Sequence, residues 1–278
     1  MLRKSVAYLG PEGTFSHILS LRRFGKNCDL VPCASMDAIF DFLLSHPKAL
    51  AIVPVENSSG GTIYDTVDLL INQGGELHIQ EELALDVRPA LIGHKKQAIK
   101  IIYSHFAQLQ HCRNWVRDNY PDAEIRKVSS TAIAAQEAAR HKNSAAISAP
   151  GTAQLYKLDI LKFPILPEIR NVTHFFVLGH KPVLKLGKKS AKTAFVAALK
   201  NRCGSLHSFL GPFARHKVNL KRIVSRPVPG HPETYVFFIE IEGAQQQASV
   251  GRALRGAQKY ADIQQFFGSY PVGKKYPS

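Results

Sequence analysis

Over the first 180 residues, short apolar runs alternate with segments whose apolar residues recur at helical spacing. Apolar runs bounded by polar residues predict buried strands, and an i, i+3, i+4 pattern predicts helices that pack on them. The predicted strands are residues 6–9, 50–55, 99–103 and 145–147, and the predicted helices are residues 15–24, 36–44, 62–72, 109–118 and 131–140. This alternation predicts an α/β fold with a mainly parallel sheet that is covered on both faces.

The order of elements changes after residue 192. Strands at residues 194–199, 220–226, 234–242 and 263–270, with helices at 204–216 and 247–258, give the succession βαββαβ. This succession predicts a small ferredoxin-like domain. The segment KPVLKLGKKSAK at residues 181–192 is polar and lacks apolar periodicity, so it predicts a linker. We therefore expect a first domain at residues 1–182, a linker at 183–192 and a small domain at 193–278.

The net charge of +15 is unevenly distributed along the chain. Residues 181–278 carry 17 Lys and Arg against four acidic residues, whereas residues 1–180 carry 19 against 17. The basic residues of the second part are dispersed among apolar positions, without the interleaved aromatic residues of an RNA-binding surface. The pattern predicts a solvated basic surface and no nucleic-acid partner.

The spacing of the cysteines and histidines restricts the kinds of site that the chain can hold. The four cysteines are scattered, with no CxxC pair, which predicts free thiols in a reducing cytoplasm. The 12 histidines form no HxxxH pair, so no metal is expected. No apolar run of 18 residues occurs, and the N-terminal segment lacks the pattern of a signal peptide, which predicts no membrane partner.

Three segments of the first domain share one arrangement, in which an apolar strand is followed by small polar residues and then by a helix. They are AYLGPEGTFS at residues 7–16, AIVPVENSSGGT at 51–62 and VSSTAIAAQ at 128–136. In open α/β sheets, ligands bind beyond the carboxyl ends of the strands, where helix N-termini favour carboxylate or phosphate. Each Ser or Thr alone is also consistent with a helix cap. Together with the polar start of NVTHFFVLGH at 171–180, the three loops predict a cleft for a small polar anion.

Several common catalytic patterns are absent from the sequence. It contains neither GxxxxGK[ST] nor GxGxxG, and it lacks the GxSxG of serine hydrolases. The groups that remain are hydroxyls, amides and the carboxylate of Glu56. Such groups can orient an anion and hydrogen-bond a leaving group, but they cannot supply redox chemistry, so no cofactor is expected.

In their order and spacing, five motifs resemble the prephenate dehydratase family. They are Gly10-Pro11-Glu12-Gly13-Thr14-Phe15-Ser16; Val53-Pro54-Val55-Glu56-Asn57-Ser58 with Gly61-Thr62; Tyr103-Ser104-His105 with Gln110 and Cys112; Ser130-Thr131-Ala132 with Ala134-Ala135; and Asn171-x-Thr173-x-Phe175. The small domain resembles the ACT regulatory domain attached to these enzymes, through Gly204-x-Leu206, Asn219-Leu220 and Ser225-Arg226-Pro227. The resemblance covers almost the whole chain.

The resemblance implies a fold and an activity. The catalytic domain is expected to have two lobes that resemble a periplasmic binding protein, with the active site between them, and to be followed by the ACT domain. The implied reaction is the decarboxylating dehydration of prephenate to phenylpyruvate in L-phenylalanine biosynthesis, by a carbon–oxygen lyase. L-phenylalanine is the implied effector, and a homodimer or homotetramer is the implied assembly.

The resemblance also assigns roles to residues. Thr173 is the implied catalytic residue, because the Thr of the family's Asn-x-Thr-Arg-Phe motif is essential, and we expect its hydroxyl to donate a hydrogen bond to the departing ring hydroxyl. The implied substrate-binding residues are Glu56, Asn57, Ser58, Gly61, Thr14, Ser130, Thr131, Asn171, His174 and Phe175. The implied effector-binding residues are Gly204, Leu206, Asn219, Leu220, Ser225, Arg226 and Pro227. Phe175 is equally well explained as core.

Three positions depart from the family pattern. His174 stands where the motif has Arg, and a partly charged imidazole cannot hold a carboxylate bidentately as Arg does. Pro89 stands where many members have His, and the preceding Arg88 is a candidate replacement for the missing anchor. Val224 replaces the Glu of the regulatory Glu-Ser-Arg-Pro motif, which weakens the expectation of control by phenylalanine.

Three alternatives remain open, the second and third of them because of these departures. The first is an enzyme for arogenate, the amino counterpart of prephenate, which differs from it by only a few atoms. The second is a related decarboxylase that does not aromatise its substrate, although such proteins typically lack an ACT domain and alter the hydroxyl-binding group. The third is a non-catalytic sensor of dicarboxylates, against which the presence of Thr173 argues.

Overall fold

A computed structural model describes residues 3–72, 75–168, 170–186, 190–228 and 230–278. The first part of the chain contains β1 (Lys4–Leu9), α1 (Phe15–Phe24), β2 (Cys28–Cys33), α2 (Met36–Ser45), β3 (Leu50–Asn57), β4 (Gly61–Thr62), α3 (Tyr64–Asn72), β5 (His78–Asp86), β6 (Ala90–Gly93), β7 (Ile101–His105), α4 (Phe106–Asn119), β8 (Glu124–Val128), α5 (Thr131–Arg140), β9 (Ser144–Ser148), α6 (Pro150–Leu155), β10 (Asp159–Lys162) and β11 (Val172–Gly179). The second part contains β12 (Ala191–Leu199), α7 (Ser205–Arg215), β13 (Leu220–Val228), β14 (His231–Glu242), α8 (Ala248–Ala257) and β15 (Ala261–Pro277).

The fold is mixed α/β, as the alternation of elements predicts. Its residues group into two compact units, which we call unit 1 and unit 2. Unit 1 comprises Met1–Gly61, Ala84–Phe175 and Lys275–Ser278, and unit 2 comprises Thr62–Leu83 and Phe176–Lys274. No helix in the described ranges is long and apolar enough to cross a bilayer.

The first sheet of unit 1 has the strand order β2-β1-β3-β11. Strand β1 runs parallel to both β2 and β3, and Tyr8 pairs with Ile52. Since β1 ends at Leu9 while β3 continues to Asn57, β3 projects beyond β1 at the carboxyl edge of the sheet. Helix α1 follows β1 and therefore begins at this same edge.

The second sheet of unit 1 has the order β10-β6-β9-β7-β8. Strand β7 is parallel to β8 and β9, whereas β6 is antiparallel to β9 and β10. Helix α5 packs on this sheet through buried alanines, Ala134, Ala135 and Ala138, whose small side chains allow close approach. Because α5 follows β8 and α6 follows β9, both helices begin at the carboxyl edge of the second sheet.

The small βαββαβ arrangement is confirmed in unit 2. Its strands lie in the order β13-β14-β12-β15, with antiparallel pairing of β12 to β14 and β15 and of β13 to β14. Helices α7 and α8 cover one face of this sheet, where Phe195, Phe209 and Phe213 pack with Ile239 and Leu254. This is the ferredoxin-like order predicted from the succession of elements.

The other face of the unit 2 sheet carries a buried group of charges. The Nζ atom of Lys192 lies 2.5 Å from a carboxylate oxygen of both Glu82 and Glu240, and Arg222 Nη1 lies 2.7 Å from the second oxygen of Glu240. The side chains of Glu82 and Glu240 are 2% and 0% exposed. Two carboxylates and two cations thus neutralise one another away from water.

The position of Lys192 corrects the predicted linker. Strand β12 begins at Ala191, so the last two residues of the segment 181–192 belong to the sheet rather than to a solvated connection. Lys192 lies within the sheet because its ammonium neutralises two buried carboxylates. Predicted linker residues 187–189 lie outside the described ranges.

The predicted helices are confirmed, with corrections at two starts. Residues 61–62 form β4, which pairs with β3, so the helix predicted from residue 62 begins at Tyr64. Helix α4 begins at Phe106 rather than at residue 109. The prediction missed the first turn because Phe106 is exposed and does not fit the apolar pattern of the helix.

Candidate active site

The loop after β3 is organised by a single amide side chain. The Oδ1 atom of Asn57 accepts hydrogen bonds from the backbone N–H groups of Ser59 and Gly60, both at 2.9 Å. This side-chain turn uses the oxygen of the amide and directs its nitrogen the other way. The loop conformation therefore fixes which end of Asn57 faces β11.

The amide nitrogen of Asn57 joins the loop to the start of β11. Its Nδ2 donates to Asn171 Oδ1 at 2.7 Å and to Thr173 Oγ1 at 2.8 Å. Ser58 adds a backbone bond to the Val172 carbonyl at 2.8 Å, and its hydroxyl accepts from the Val172 N–H at 2.9 Å. Because Thr173 Oγ1 accepts from Asn57, its own hydrogen is available to donate to another group.

Strand geometry separates Thr173 from His174. Successive side chains of a strand point to opposite faces, so Asn171, Thr173 and Phe175 share one face and His174 points to the other. By the same alternation in β3, Glu56 lies on the opposite face from Asn57. The structure thus brings Asn57, Ser58, Asn171 and Thr173 together, but it does not bring His174 or Glu56 to them.

Phe175 and Arg88 have structural partners of their own. Phe175 is 2% exposed, in agreement with its interpretation as core. The Nε and Nη2 atoms of Arg88 both lie 3.2 Å from Asp86 Oδ2, and its backbone N–H donates to Ser278 Oγ. The guanidinium is therefore bound to Asp86, which does not support the expectation that Arg88 replaces the missing anchor.

Two helix N-termini lie at the carboxyl edges of the two sheets. Thr14 and Ser130 are their N-caps, accepting from His17 N–H at 3.2 Å and Ile133 N–H at 3.0 Å. Thr14 Oγ1 also donates to the Leu9 carbonyl, so its hydroxyl is fully used in capping. Helices α1 and α5 have no acidic residue in the first turn, so their positive ends favour an anion. The Glu12 carboxylate, just before the cap of α1, acts on His17 in that turn.

The loop after β1 contacts helix α6 of the second sheet at Gly13. Thr152 of α6 donates its hydroxyl to the Gly13 carbonyl at 2.7 Å, and Tyr156 donates to the Glu12 carbonyl at 3.4 Å. Helix α5 begins at the same edge of the second sheet as α6. Its N-terminus, with Ser130 and the buried Thr131, therefore lies at the edge that contacts Gly13. The two sheets therefore present polar groups around one region.

We expect Gly13→Ala to weaken the contact between the two edges. Gly13 has φ +91°, and a Cβ atom there would lie 2.9 Å from Thr152 Cγ2 and 3.3 Å from Leu155 Cδ2. The strained backbone and the clash should together lower the free energy of unfolding in urea by about 1–3 kcal/mol. Gly151→Ala is the matched control, because its Cβ would meet only Ile18 Cδ1 at 3.8 Å. Equal stability of the two variants would contradict this description.

The residues implied to bind an effector occupy separate places in unit 2. Asn219 lines a cavity of about 430 Å³ with Lys217, Glu242 and Gln247. Arg226 and Pro227 line a second cavity of about 310 Å³. The remaining four, Gly204 at the start of α7, Leu206, Leu220 and Ser225, are exposed or half-exposed and line neither cavity.

Arg226 is engaged by α3 within unit 2. Its Nε and Nη2 atoms each lie 2.5 Å from an oxygen of Asp68, and its guanidinium lies 4.6 Å from the ring centroid of Tyr64. Val224, which stands where the family has Glu, is buried. The arrangement leaves Arg226 with a carboxylate partner inside the chain.

Sequence reasoning missed two residues of this region. His17 contacts Gly13 by a hydrogen bond, and its signal was its position four residues after the glycine, in the first turn of α1. Thr152 lies 139 residues from Gly13, and no local pattern connects them. In the described residues, no group of three or more His, Cys, Asp or Glu side chains forms a metal site.

Comparison with known proteins identifies the family of this chain. The family model described as prephenate dehydratase matches residues 6–183. The chain is 33% identical over 278 residues to the prephenate dehydratase of Methanocaldococcus jannaschii, covering 98% of this chain and 99% of that protein. It is 36% identical over 269 residues to the bifunctional chorismate mutase/prephenate dehydratase of Stutzerimonas stutzeri, covering 96% of this chain and 73% of that protein.

A solved structure agrees as well. The prephenate dehydratase of Arthrobacter aurescens, in complex with L-Phe, superposes with a TM-score of 0.86 at 30% identity, covering 96% of this chain and 89% of that chain. Similarity of this extent spans both the site around Asn57 and Thr173 and the small domain. The chain belongs to the prephenate dehydratase family.

Proposed function

We propose that this protein is a prephenate dehydratase, a carbon–oxygen lyase that converts prephenate to phenylpyruvate, carbon dioxide and water. The observation that carries the proposal is the hydrogen bond from Asn57 Nδ2 to Thr173 Oγ1. This bond uses the hydroxyl oxygen as an acceptor, so the Thr173 hydrogen remains for donation to a ligand. A fixed donor at this position is what departure of a ring hydroxyl requires.

The reaction breaks two bonds and forms an aromatic ring. The electron pair of the bond to the leaving carboxylate enters the ring as carbon dioxide departs, and the C4–oxygen bond breaks as the hydroxyl leaves. Aromatisation provides the driving force, whereas expulsion of hydroxide is the difficult step. Thr173 lowers this barrier by donating a hydrogen bond to the oxygen as negative charge develops on it, and the departing hydroxide takes up a proton from solvent to give water.

The dicarboxylate is held by the helix ends rather than by a side-chain cation. The N-termini of α1 and α5 carry positive dipole ends without a neighbouring acid in the first turn. His174 lies on the opposite face of β11 from Thr173, so it is not the anchor in this proposal. Asn57 and Ser58 complete the polar surface, and Gly61 allows the chain to turn into β4 at φ +79°.

The small domain is proposed to bind L-phenylalanine and to assemble the chain into a homodimer or homotetramer. The solved relative from Arthrobacter aurescens is described in complex with L-Phe, which supports the choice of ligand. Val224 supplies no carboxylate, so we expect a weaker response than in relatives that carry Glu. A cytoplasmic location is proposed because all four cysteines are free thiols.

The proposal is tested by incubating the purified protein with prephenate. We expect phenylpyruvate, detected by its strong ultraviolet absorption in alkali. A parallel incubation with arogenate measures the preference between the two substrates by kcat/KM. A decarboxylated product that retains the ring hydroxyl would contradict the proposal in favour of the non-aromatising reaction. Binding without turnover would favour the sensor.

We expect Asn57→Asp to lower kcat by about tenfold to a hundredfold. The carboxylate can still accept from the Ser59 and Gly60 N–H groups, so the loop turn is retained. It cannot donate to Thr173, and it instead accepts the Thr173 hydrogen that the reaction needs. Steady-state kinetics with prephenate measures the loss, and Asn119→Asp at the exposed end of α4 is the matched control. An unchanged kcat would mean that Asn57 does not orient the hydroxyl.

A further inference from the structure

His17 is joined to the loop that contacts α6. The backbone N–H of Gly13 donates to His17 Nδ1 at 3.1 Å. An imidazole nitrogen that accepts a hydrogen bond carries no proton, so His17 is neutral in this arrangement and its proton lies on Nε2. Protonation of Nδ1 would place two donors against each other and break this bond.

Gly13 is held through both its backbone N–H and its backbone carbonyl. Its N–H is bound by His17, and its carbonyl accepts the Thr152 hydroxyl from α6 at 2.7 Å. The backbone N–H of His17 also donates to Thr14, the cap of α1. One residue of α1 therefore orders both the loop and the helix end that faces the anion in the proposed function.

We propose that His17 is a positioning residue for prephenate turnover, which keeps residues 10–14 in the substrate-binding conformation through the Gly13 hydrogen bond and releases them when it is protonated. This inference rests on the proposed function. His17 acts through the loop and not on the reacting atoms. Its effect is therefore expected chiefly in substrate binding.

The surroundings of His17 favour the neutral imidazole. Burial lowers its pKa below the ordinary value of 6.5, and the Glu12 carboxylate opposes this shift. The Tyr8 ring lies 5.2 Å away, centroid to centroid, and Cys33 and Tyr156 also line this region. Burial raises the pKa values of Tyr8, Cys33 and Tyr156, so these three groups remain uncharged near neutrality.

The sign of the pH effect follows from the lowered pKa. The unfolded or released loop takes up the His17 proton near pH 6.5, whereas the ordered loop resists protonation until a lower pH. The ordered conformation is thus fully favoured above the ordinary histidine pKa and is lost as the pH falls through the lowered value. We expect kcat/KM to decline on this acidic side.

Two variants separate the hydrogen bond from the charge. In His17→Asn, the side-chain oxygen occupies the place of Nδ1, accepts from Gly13 and does not titrate. In His17→Gln, the polar atoms lie further out, near the place of Nε2. We expect His17→Asn to retain kcat/KM at pH 7.5 and to lose the acidic decline. His17→Gln should raise KM about tenfold at pH 7.5 with little change in kcat.

Amide hydrogen exchange gives a readout that does not depend on turnover. In the wild-type protein, we expect the Gly13 protection factor to fall about tenfold between pH 7.5 and pH 5. The Ala134 amide, which donates to the Ser130 carbonyl at the start of α5, serves as the control. In His17→Asn the Gly13 protection factor should be constant.

These measurements distinguish failure of the inference from failure of the proposed function. A Gly13 protection factor that is independent of pH, or an acidic decline that persists unchanged in His17→Asn, would overturn the role of His17. If the wild-type protein does not convert prephenate, the proposed function fails. The exchange experiment still decides whether His17 controls the loop.

Discussion

Thr173→Val is expected to lower kcat for prephenate by about a hundredfold to a thousandfold. Valine has nearly the shape of threonine, so the fold of β11 should be kept, although Asn57 Nδ2 loses one acceptor. The lost group is the proposed donor to the leaving oxygen. Because the negative charge on that oxygen is small in the ground state, KM should change much less than kcat.

Steady-state kinetics with prephenate measures this effect, and Thr173→Ser is the matched control. Serine retains a hydroxyl at the same position, so Asn57 can still donate to it, and we expect its kcat to lie within about tenfold of wild type. A Thr173→Val enzyme as fast as Thr173→Ser would show that the hydroxyl does not assist departure of the leaving group. Equal urea midpoints for the variants would exclude a folding defect.

Lys192→Met is expected to lower the free energy of unfolding by about 3–5 kcal/mol. Burial lowers the pKa of the Lys192 ammonium, but Glu240 and Glu82 offset this, so its pKa lies above the ordinary value. Lys192 is therefore charged at neutral pH. Its removal leaves two buried carboxylates with Arg222 as the cation described beside Glu240. Urea denaturation of the two proteins measures the loss.

The loss of stability in Lys192→Met should come from the two buried carboxylates that lose their shared cation. Lys221→Met is the control, because Lys221 pairs with Glu242 at the surface and should cost less than about 1 kcal/mol. Adding Glu82→Gln to Lys192→Met should recover part of the stability.

Elements with clear local signals were predictable from the sequence. Helices α1 and α5 begin and end at the predicted residues, because Thr14 and Ser130 cap apolar patterns of helical spacing. Strands β2 and β8 were not predicted, because both lie at sheet edges and most of their side chains are polar or partly exposed. A strand without an apolar run has no periodicity to detect.

For the candidate site, the sequence proposes residues but not their arrangement. The family motifs single out Asn57 and Thr173, whose hydrogen bond joins positions 116 residues apart. Only the fold shows that one amide fixes both the loop and the hydroxyl, and that His174 points away. Likewise, nothing in the local sequence distinguishes Lys192 from a solvated lysine, because its burial depends on Glu82 and Glu240 in other strands.

The pairing of Arg226 with Asp68 has a consequence for ligand recognition. An amino acid whose carboxylate used this guanidinium would compete with Asp68, and its measured affinity would include the free energy of separating the pair. Displacement would remove one contact of α3, which is also held by the buried Val67 and Leu70. This helix begins three residues after Gly61 and so continues directly from the Asn57 loop. Ligand occupancy and the freedom of that helix would then increase together, which is thermodynamic linkage through a shared counter-ion.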